Sequence, residues 1–203
     1  MCPWRIRQVV MTALDSEREA IERAEAAPLF ELPGTDGETH ALADFDDHEA
    51  VLVVFTCNHC PYAKAKFGPL NELAAEYDDL AVVGINSNDS KEYPDDSFEK
   101  MVELVEDGTI QYDAYLRDES QEVAREYGAV CTPDPFLLSN DDGEFRLAYH
   151  GRIDDAMSPD EKPESFEMRN VVEDLLAGEE ITRGFRPSRG CNIKWKDGSV
   201  RPE

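Results

Sequence analysis

The sequence lacks any long apolar stretch. No window of about 18 consecutive apolar residues occurs in the 203-residue chain, so no transmembrane helix is expected. The first residues, Met1 to Arg7, include basic side chains but no apolar core followed by small residues, and they do not resemble a secretory signal. Residues 1–12 are predicted to be a disordered tail or a mis-assigned start, with Met11 as the alternative start. We therefore expect a cytoplasmic protein without a membrane partner.

Positive charge is also scarce. Asp and Glu total 45 against 20 Lys and Arg, which gives a formal net charge of −25. Nucleic acids and anionic membranes both require a basic protein surface, so neither is expected as a partner. The acidic residues are spread along the chain in pairs such as Asp46-Asp47, Asp78-Asp79, Asp95-Asp96, Asp141-Asp142 and Asp154-Asp155. This spread predicts a solvated acidic surface, which is typical of proteins in concentrated salt, where screening weakens the repulsion.

The first part of the chain predicts a helix followed by a β-hairpin. Residues 13–27 are rich in Glu and Ala, so we expect a lead-in helix there. Prolines bracket the extended segment Pro28–Pro33, a turn follows at Gly34–Gly37, and Thr39–Leu42 is a short returning strand. These segments predict an N-terminal hairpin extension.

Strands and helices alternate over the rest of the chain. The apolar runs Val51–Phe55 and Leu80–Asn86 predict buried central strands. Gly68-Pro69 is expected to kink or break the helix that follows the first of these strands. The Asp142-Gly143 turn predicts a late hairpin, and residues 165–177 predict the last helix. This order favours an α/β fold with a central mixed sheet and helices on both faces.

A length of 203 residues suits one domain with a full core. We place this domain at residues 28–180. Residues 181–203 form a C-terminal extension, in which Ile193 and Trp195 indicate docking onto the domain.

The motif Cys57-Asn58-His59-Cys60 is the most informative one in the chain. It lies between a buried strand and a helix-compatible stretch. Free backbone N–H groups and the positive end of a helix dipole stabilise a thiolate in such a place, and the thiolate is the reactive form of cysteine. We expect Cys57 to be the exposed, attacking thiolate and Cys60 to be the more buried resolving thiol. His59 either lowers the pKa of Cys57 or is a solvated residue at the helix start.

Four segments point to a known family: Phe55–Pro61, Gly84–Asp89, Tyr127–Pro133 and Gly190–Lys196. On these segments the chain resembles a thioredoxin-fold redoxin of the peroxiredoxin-like AhpC/TSA type, with a Cys-x-x-Cys centre. The resemblance implies a thioredoxin-like fold without a cofactor or metal. It also implies that Thr132 and Pro133 face the two cysteines and that a cis peptide bond precedes Pro133.

The motif departs from that family at one position. Peroxiredoxins are recognised by a Thr three residues before the peroxidatic Cys-Pro. Here Cys57 occupies that position relative to Cys60-Pro61, Thr56 is one residue out of register, and no arginine is assigned to an activating role. The centre is therefore more similar to that of a dithiol reductase or of an oxidising isomerase such as protein disulfide isomerase.

The other cysteines and histidines leave several interpretations open. Cys131 is either a third redox thiol or a small buried apolar residue. Cys191 could form a disulfide with Cys131 or with Cys60. Alternatively, Cys131 and Cys191 could complete a four-ligand zinc site with the two cysteines of the Cys-x-x-Cys motif. The remaining histidines, His40, His48 and His150, are expected on the surface or in strands.

These observations favour a cytoplasmic thiol–disulfide oxidoreductase that cycles Cys57 and Cys60 between dithiol and disulfide. Its expected partner is a redox protein, a small thiol or a peroxide, and the sequence specifies no oligomeric state. The alternatives are a peroxiredoxin-like thiol peroxidase and a non-catalytic metal-binding or adaptor protein on a thioredoxin scaffold.

The acidic surface generates a salt prediction. Because added salt screens repulsion among excess negative charges, the melting temperature should rise between low and molar salt. Differential scanning calorimetry in potassium chloride measures this shift, and an unchanged melting temperature would contradict adaptation to concentrated salt.

Overall fold

The computed structural model describes residues 12–17, 21–197 and 199. In this part of the chain the strands are β1 (Ala13–Asp15), β2 (Glu31–Pro33), β3 (Thr39–Ala41), β4 (Ala50–Phe55), β5 (Leu80–Asn86), β6 (Ala114–Arg117), β7 (Cys131–Thr132), β8 (Asp134–Asp141), β9 (Glu144–His150) and β10 (Arg189–Asn192). The helices are α1 (Pro61–Glu76), α2 (Phe98–Glu106), α3 (Glu122–Tyr127) and α4 (Glu167–Leu176), with 3-10 turns at Leu42–Phe45 and Pro94–Asp96. Among the described residues, no helix is long and apolar enough to cross a membrane.

A mixed sheet in the order β6-β5-β4-β8-β9 forms the centre of the molecule. Strand β4 pairs in parallel with β5, and β5 pairs in parallel with β6. On the other side of β4, the strands β8 and β9 form an antiparallel hairpin. The strands β2 and β3 form a second hairpin, and β10 lies between β1 and β7 in a third small sheet. The predicted mixed sheet and N-terminal hairpin are confirmed.

The central strand β4 is buried on both faces, which explains its continuous apolar sequence. Side chains alternate between the two faces of a strand. Val51, Val53 and Phe55 belong to the same core cluster as residues of α3 and of the β2-β3 hairpin. Leu52 and Val54 pack instead with α1 and α4. The prediction of helices on both faces is therefore confirmed.

Two irregular segments run along the outer strands of the central sheet. The backbone N–H of Thr35 donates to the carbonyl of Tyr115 in β6 at 3.0 Å. On the opposite side, the N–H of Ala24 donates to the carbonyl of Leu147 in β9 at 2.8 Å. Each outer strand thus has some of its free backbone groups paired by a neighbouring loop.

The lead-in helix predicted over residues 13–27 is wrong. Residues Ala13–Asp15 form β1, and residues 21–27 form turns and a bridge to β9. The helix propensity of Glu and Ala is a weak preference, and an isolated helix of this length is marginal. Strand pairing with the rest of the fold prevails here. Residues 1–11 of the predicted tail and residues 18–20 lie outside the described residues. Thr12 is described, and its carbonyl accepts a hydrogen bond from the Asn192 N–H at 2.9 Å.

Of the two effects predicted for Gly68-Pro69, a kink or a break, the break does not occur in α1. The helix continues through Pro69 to Glu76. Proline removes one backbone hydrogen bond, but Phe67, Leu70 and Leu73 of the same helix are buried in the core. Burial of this apolar face stabilises the continuous helix.

The acidic pairs are not all on the surface. Asp96 is 0% exposed and Asp154 is 2% exposed, so the prediction of solvated pairs is wrong for these two residues. Asp154 accepts a hydrogen bond from the Lys66 ammonium at 2.6 Å. Its charge is therefore paired, as burial requires.

The C-terminal segment lies against the domain. The N–H of Ile193 donates to the Val130 carbonyl at 3.0 Å, and Trp195 is buried, with the Arg125 guanidinium 4.4 Å from its ring centre. Gly190 approaches the neighbouring strand very closely. A Cβ at this position would lie 2.1 Å from the Thr132 carbonyl oxygen, so only glycine fits there.

This close approach generates a stability prediction. Gly190→Ala should lower the free energy of unfolding by about 1–3 kcal/mol, because β10 must shift away from Thr132 to relieve the overlap. Urea denaturation measures the effect. Gly184→Ala is the matched control, since nothing lies within 4 Å of the added Cβ, and equal stability losses in both variants would contradict the packing argument.

Candidate active site

The Cys-x-x-Cys motif lies where β4 ends and α1 begins. One residue, Thr56, separates Cys57 from the end of β4, and Cys60 is the N-cap residue of α1. Pro61 fixes the helix start after Cys60, because a proline at the first helical position has a suitable φ and needs no backbone donor. Both cysteines are 0% exposed, so the expectation of an exposed Cys57 in the first helical turn is wrong.

The loop between β7 and β8 faces the two sulfurs. The Thr132-Pro133 peptide bond is cis, as the family resemblance implies. The Thr132 hydroxyl oxygen lies 3.1 Å from Cys57 Sγ, and the Cys60 thiol can donate to the Thr132 carbonyl oxygen at 3.5 Å. The structure therefore brings together four of the predicted site residues, namely Cys57, Cys60, Thr132 and Pro133.

The surroundings favour the thiolate on Cys60. Hydrogen bonds from the Cys191 and Cys57 thiols lower the pKa of Cys60; burial opposes this effect and the Ala63 backbone N–H adds to it. Burial raises the pKa of Cys57, and its hydrogen bond to Cys60 and the negative charge of Asp96 raise it further. The charged sulfur is thus at the helix N-terminus, where the helix dipole favours it.

His59 is held by a buried carboxylate. Its Nδ1 lies 2.5 Å from Asp96 Oδ2, and its ring stacks on Tyr93 with 5.6 Å between ring centres. The hydrogen bond with Asp96 raises the pKa of His59, partly against burial, and the charge of Cys60 acts in the same direction. His59 is therefore a partly buried residue paired with Asp96 rather than a solvated helix-start residue, and its raised pKa favours the protonated form.

Asp96 lies in the 3-10 turn before α2 and accepts several hydrogen bonds. Besides His59, the Asn58 backbone N–H donates at 2.7 Å and the Asn88 side-chain amide donates at 2.8 Å. Burial alone would raise the pKa of Asp96, but these donors lower it below the usual range. The sequence provides no signal for this role, because Asp95-Asp96 is indistinguishable from the exposed acidic pairs.

A second layer of buried polar side chains supports this turn. The Tyr115 hydroxyl donates to the Asn58 side-chain oxygen at 2.7 Å. The Arg117 guanidinium donates to the backbone carbonyls of Asn88 at 2.7 Å and Asp96 at 3.3 Å. Arg117 is thus directed to the loop backbone and to Glu119 rather than to a cysteine.

Lys194 brings a further cation to the site from the C-terminal segment. The residue is 3% exposed, and its ammonium donates to the Asn192 side-chain oxygen at 2.7 Å. Burial lowers the pKa of Lys194, whereas the nearby thiols, first among them Cys191, raise it. Sequence reasoning missed this residue because it is distant from the motif along the chain.

Cys131 and Cys191 occupy neighbouring strands but different surroundings. Cys191 lies opposite Thr132 in the pairing of β10 with β7, and Cys131 lies opposite Asn192. The Cys131 thiol can donate to the Pro133 carbonyl at 3.6 Å, and burial raises its pKa. Cys131 therefore fits the interpretation of a buried apolar residue.

The geometry offers little to a metal ion. Among the described residues, Cys57, His59 and Asp96 are the one group of three potential ligands whose atoms lie close together. A closed zinc site needs four ligands, and the His59 and Asp96 atoms already share a hydrogen bond. The histidines His40, His48 and His150 pair instead with Asp36, Asp47 and Asp134.

Solved structures resemble this chain over most of its length. A hypothetical protein of Sinorhizobium meliloti 1021 is 38% identical, with a TM-score of 0.82, and the match covers 91% of this chain and 99% of that one. An uncharacterized conserved protein of Geobacillus kaustophilus is 35% identical, with a TM-score of 0.85 and coverage of 94% and 100%. No curated protein matches the chain.

A more distant structure shows the same fold. The putative thiol:disulfide interchange protein DsbE of Chlorobium tepidum is 19% identical, with a TM-score of 0.55 and coverage of 78% and 97%. At this identity the likeness concerns the fold alone, which is the thioredoxin fold. The predicted thioredoxin-like fold class is confirmed.

Residues 24–148 match the AhpC/TSA family. This range is more than half of the chain and contains both cysteines of the motif together with Thr132 and Pro133. It ends before β10 and Cys191. The chain therefore belongs to the AhpC/TSA family of thioredoxin-fold redoxins.

Proposed function

We propose that this protein is a thiol–disulfide oxidoreductase that cycles Cys57 and Cys60 between dithiol and disulfide. The main support is the position of the two thiols, which belong to one buried cluster and both contact Thr132 beside the cis Thr132-Pro133 peptide. A cysteine occupies the position at which a peroxidase of this family would carry threonine. Two cysteines two residues apart that both contact Thr132 can form a disulfide with each other.

The reaction begins on Cys60, which carries the charge. Its thiolate attacks one sulfur of a client disulfide, forms a mixed disulfide and releases one client thiolate. Cys57 then loses its proton and attacks Cys60, which closes the Cys57–Cys60 disulfide and releases the second client thiolate. A reduced thiol partner, either a redox protein or a small thiol, reverses these two exchanges and restores the dithiol.

Two neighbouring groups prepare this chemistry. The charge of Cys60 raises the pKa of His59, so a protonated His59 stabilises the Cys60 thiolate by the same interaction. The Thr132 hydroxyl, 3.1 Å from Cys57 Sγ, can accept the thiol hydrogen or donate to a forming thiolate. Both sulfurs are buried, so a client disulfide reaches them through a local opening of the surrounding residues.

A thiol peroxidase is the second candidate, and the family match favours it. In that reaction the Cys60 thiolate attacks one oxygen of a peroxide and becomes a sulfenic acid, and the other oxygen leaves as hydroxide or alkoxide. Cys57 then condenses with the sulfenic acid to form the same disulfide and water. A peroxide is small and needs less opening of the site than a protein client does.

Cysteine variants test the disulfide chemistry. Cys60→Ser should reduce insulin disulfide reduction at least about a hundredfold, because the reaction loses its nucleophile. Cys57→Ser should form a mixed disulfide on Cys60 that the second cysteine of the motif can no longer resolve, and mass spectrometry detects this adduct at short reaction times. The matched control Cys131→Ala should retain activity, since Cys131 contacts neither of these sulfurs by a hydrogen bond.

The same variants separate the two candidates. One outcome favours the peroxidase. In it, Cys57→Ser still consumes peroxide with a small thiol as reductant, Cys60→Ser does not, and neither the wild-type protein nor any variant reduces insulin. The peroxidase assignment then replaces that of a disulfide reductase. If the wild-type protein reduces insulin and Cys60→Ser loses this activity, the oxidoreductase assignment stands.

The His59–Asp96 pair generates a pH prediction. His59→Gln removes a positive charge near Cys60, so the pKa of the Cys60 thiol should rise by about one unit, equivalent to about 1.4 kcal/mol. The rate of iodoacetamide labelling of Cys60, followed against pH in the Cys57→Ser background, measures this pKa. His40→Gln is the matched control, because His40 pairs with Asp36 on the hairpin. Equal labelling profiles for His59→Gln and the wild-type residue would contradict an electrostatic role for His59.

A further inference from the structure

Cys191 lies beside the Cys-x-x-Cys motif, although it belongs to the C-terminal segment. The residue is 3% exposed and packs in the same buried cluster as Cys57 and Cys60. The two thiols shift each other's pKa, since Cys191 lowers the pKa of Cys60 and Cys60 raises the pKa of Cys191. Cys60 therefore has two thiol neighbours rather than one.

Strand register explains why Cys191 reaches Cys60. Residues that lie directly opposite each other in an antiparallel pair place their side chains on the same face. Cys191 is opposite Thr132, whose hydroxyl contacts Cys57 and whose carbonyl contacts Cys60. Gly190 allows β10 to approach the Thr132 backbone closely, as the missing space for a Cβ shows.

The same register separates Cys131 from the reacting sulfurs. Cys131 precedes Thr132 along β7 and pairs with Asn192, so its side chain belongs to the opposite face of the strand. Its hydrogen bond goes to the Pro133 carbonyl. Of the two cysteines outside the motif in the described residues, only Cys191 is positioned to exchange with Cys60.

We propose that Cys191 is a second resolving thiol, which attacks Cys60 and moves the disulfide from Cys57–Cys60 to Cys60–Cys191. This proposal rests on the oxidoreductase function proposed above. In the exchange, the Cys191 thiolate forms a bond to Cys60 Sγ, the Cys57–Cys60 bond breaks, and Cys57 leaves as a thiolate that takes up the proton lost by Cys191. No electrons enter or leave the protein in this step.

The neighbouring charges change in favour of this step once the first disulfide forms. In the dithiol state Cys191 donates to the Cys60 sulfur, and this interaction is the largest cause that raises the pKa of Cys191. A sulfur in a disulfide carries no negative charge, so this effect is lost on oxidation. The ammonium of Lys194, which lowers the pKa of Cys191, then favours the attacking thiolate.

The exchange gives a three-thiol centre with a distinct product. Cys57 becomes free again while the protein stays oxidised, and the disulfide links the start of α1 to β10. The C-terminal segment, which lies beyond the region that matches the family, would then take part in the redox cycle.

Disulfide mapping of cysteine variants tests the proposal. All variants carry Cys2→Ser, which leaves four of the five cysteines, and all are first compared with the wild-type protein by circular dichroism. Reduced Cys57→Ser protein is treated with oxidised glutathione, quenched in acid, labelled with N-ethylmaleimide and digested for mass spectrometry. The Cys60–Cys191 disulfide should form and leave Cys131 as the labelled thiol.

Three further variants complete the comparison. In Cys57→Ser/Cys191→Ser, the glutathione adduct on Cys60 should persist at least about tenfold longer, because no internal thiol resolves it. In Cys57→Ser/Cys131→Ala, the Cys60–Cys191 disulfide should form at the rate seen without the second change. Cys57→Ser/Cys191→Ala is prepared in parallel, so that a folding defect of one substitution does not decide the result.

The outcomes distinguish the two proposals. A glutathione adduct with equal lifetime in Cys57→Ser and Cys57→Ser/Cys191→Ser, or a Cys60–Cys131 disulfide, overturns the role of Cys191. Insulin reduction that persists in Cys191→Ser leaves the oxidoreductase function intact whatever the mapping shows. Loss of the Cys57–Cys60 disulfide in Cys191→Ser protein of native fold overturns the oxidoreductase function itself.

Discussion

The buried carboxylate of Asp96 is the constraint on which the arrangement of the site depends. A charge out of contact with water is very costly unless hydrogen-bond donors surround it. Here the donors come from His59 and the backbone of Asn58 in the motif, and from Asn88 in the loop after β5. One side chain therefore fixes the motif against a loop that is distant in sequence, and it favours the protonated form of His59 near Cys60.

Burial of charge also explains why so many polar residues are found inside this acidic protein. Arg117 donates to the loop carbonyls around Asp96, and Lys194 reaches the thiols from the C-terminal segment. Each cation is unfavourable in the interior on its own, and hydrogen bonds stabilise it there, from Arg117 to loop carbonyls and Glu119 and from Lys194 to Asn192. The net charge of the chain, in contrast, is a property of its surface and provides no information about this network.

The sequence predicts the local features of the molecule well. The Cys-x-x-Cys motif, the hairpin at Asp142-Gly143 and the central strands depend on neighbouring residues or on simple apolar runs, and the structure contains them. It predicts poorly what depends on distant pairing. Residues 13–15 form a strand because β10 is available to them, and Asp96 is buried because donors from two other segments meet there. The preference for Cys60 as the thiolate depends on Cys191, which is far away in the chain.

The loops that run along β6 and β9 have a consequence for how these molecules meet one another. A sheet with open outer strands can extend by adding a strand from a second molecule, and this route leads to aggregation. Here the segment near Thr35 bonds to β6, and the segment near Ala24 bonds to β9. Both lateral borders of the central sheet are thus partly closed by the protein's own chain, which disfavours growth of the sheet from one molecule to the next.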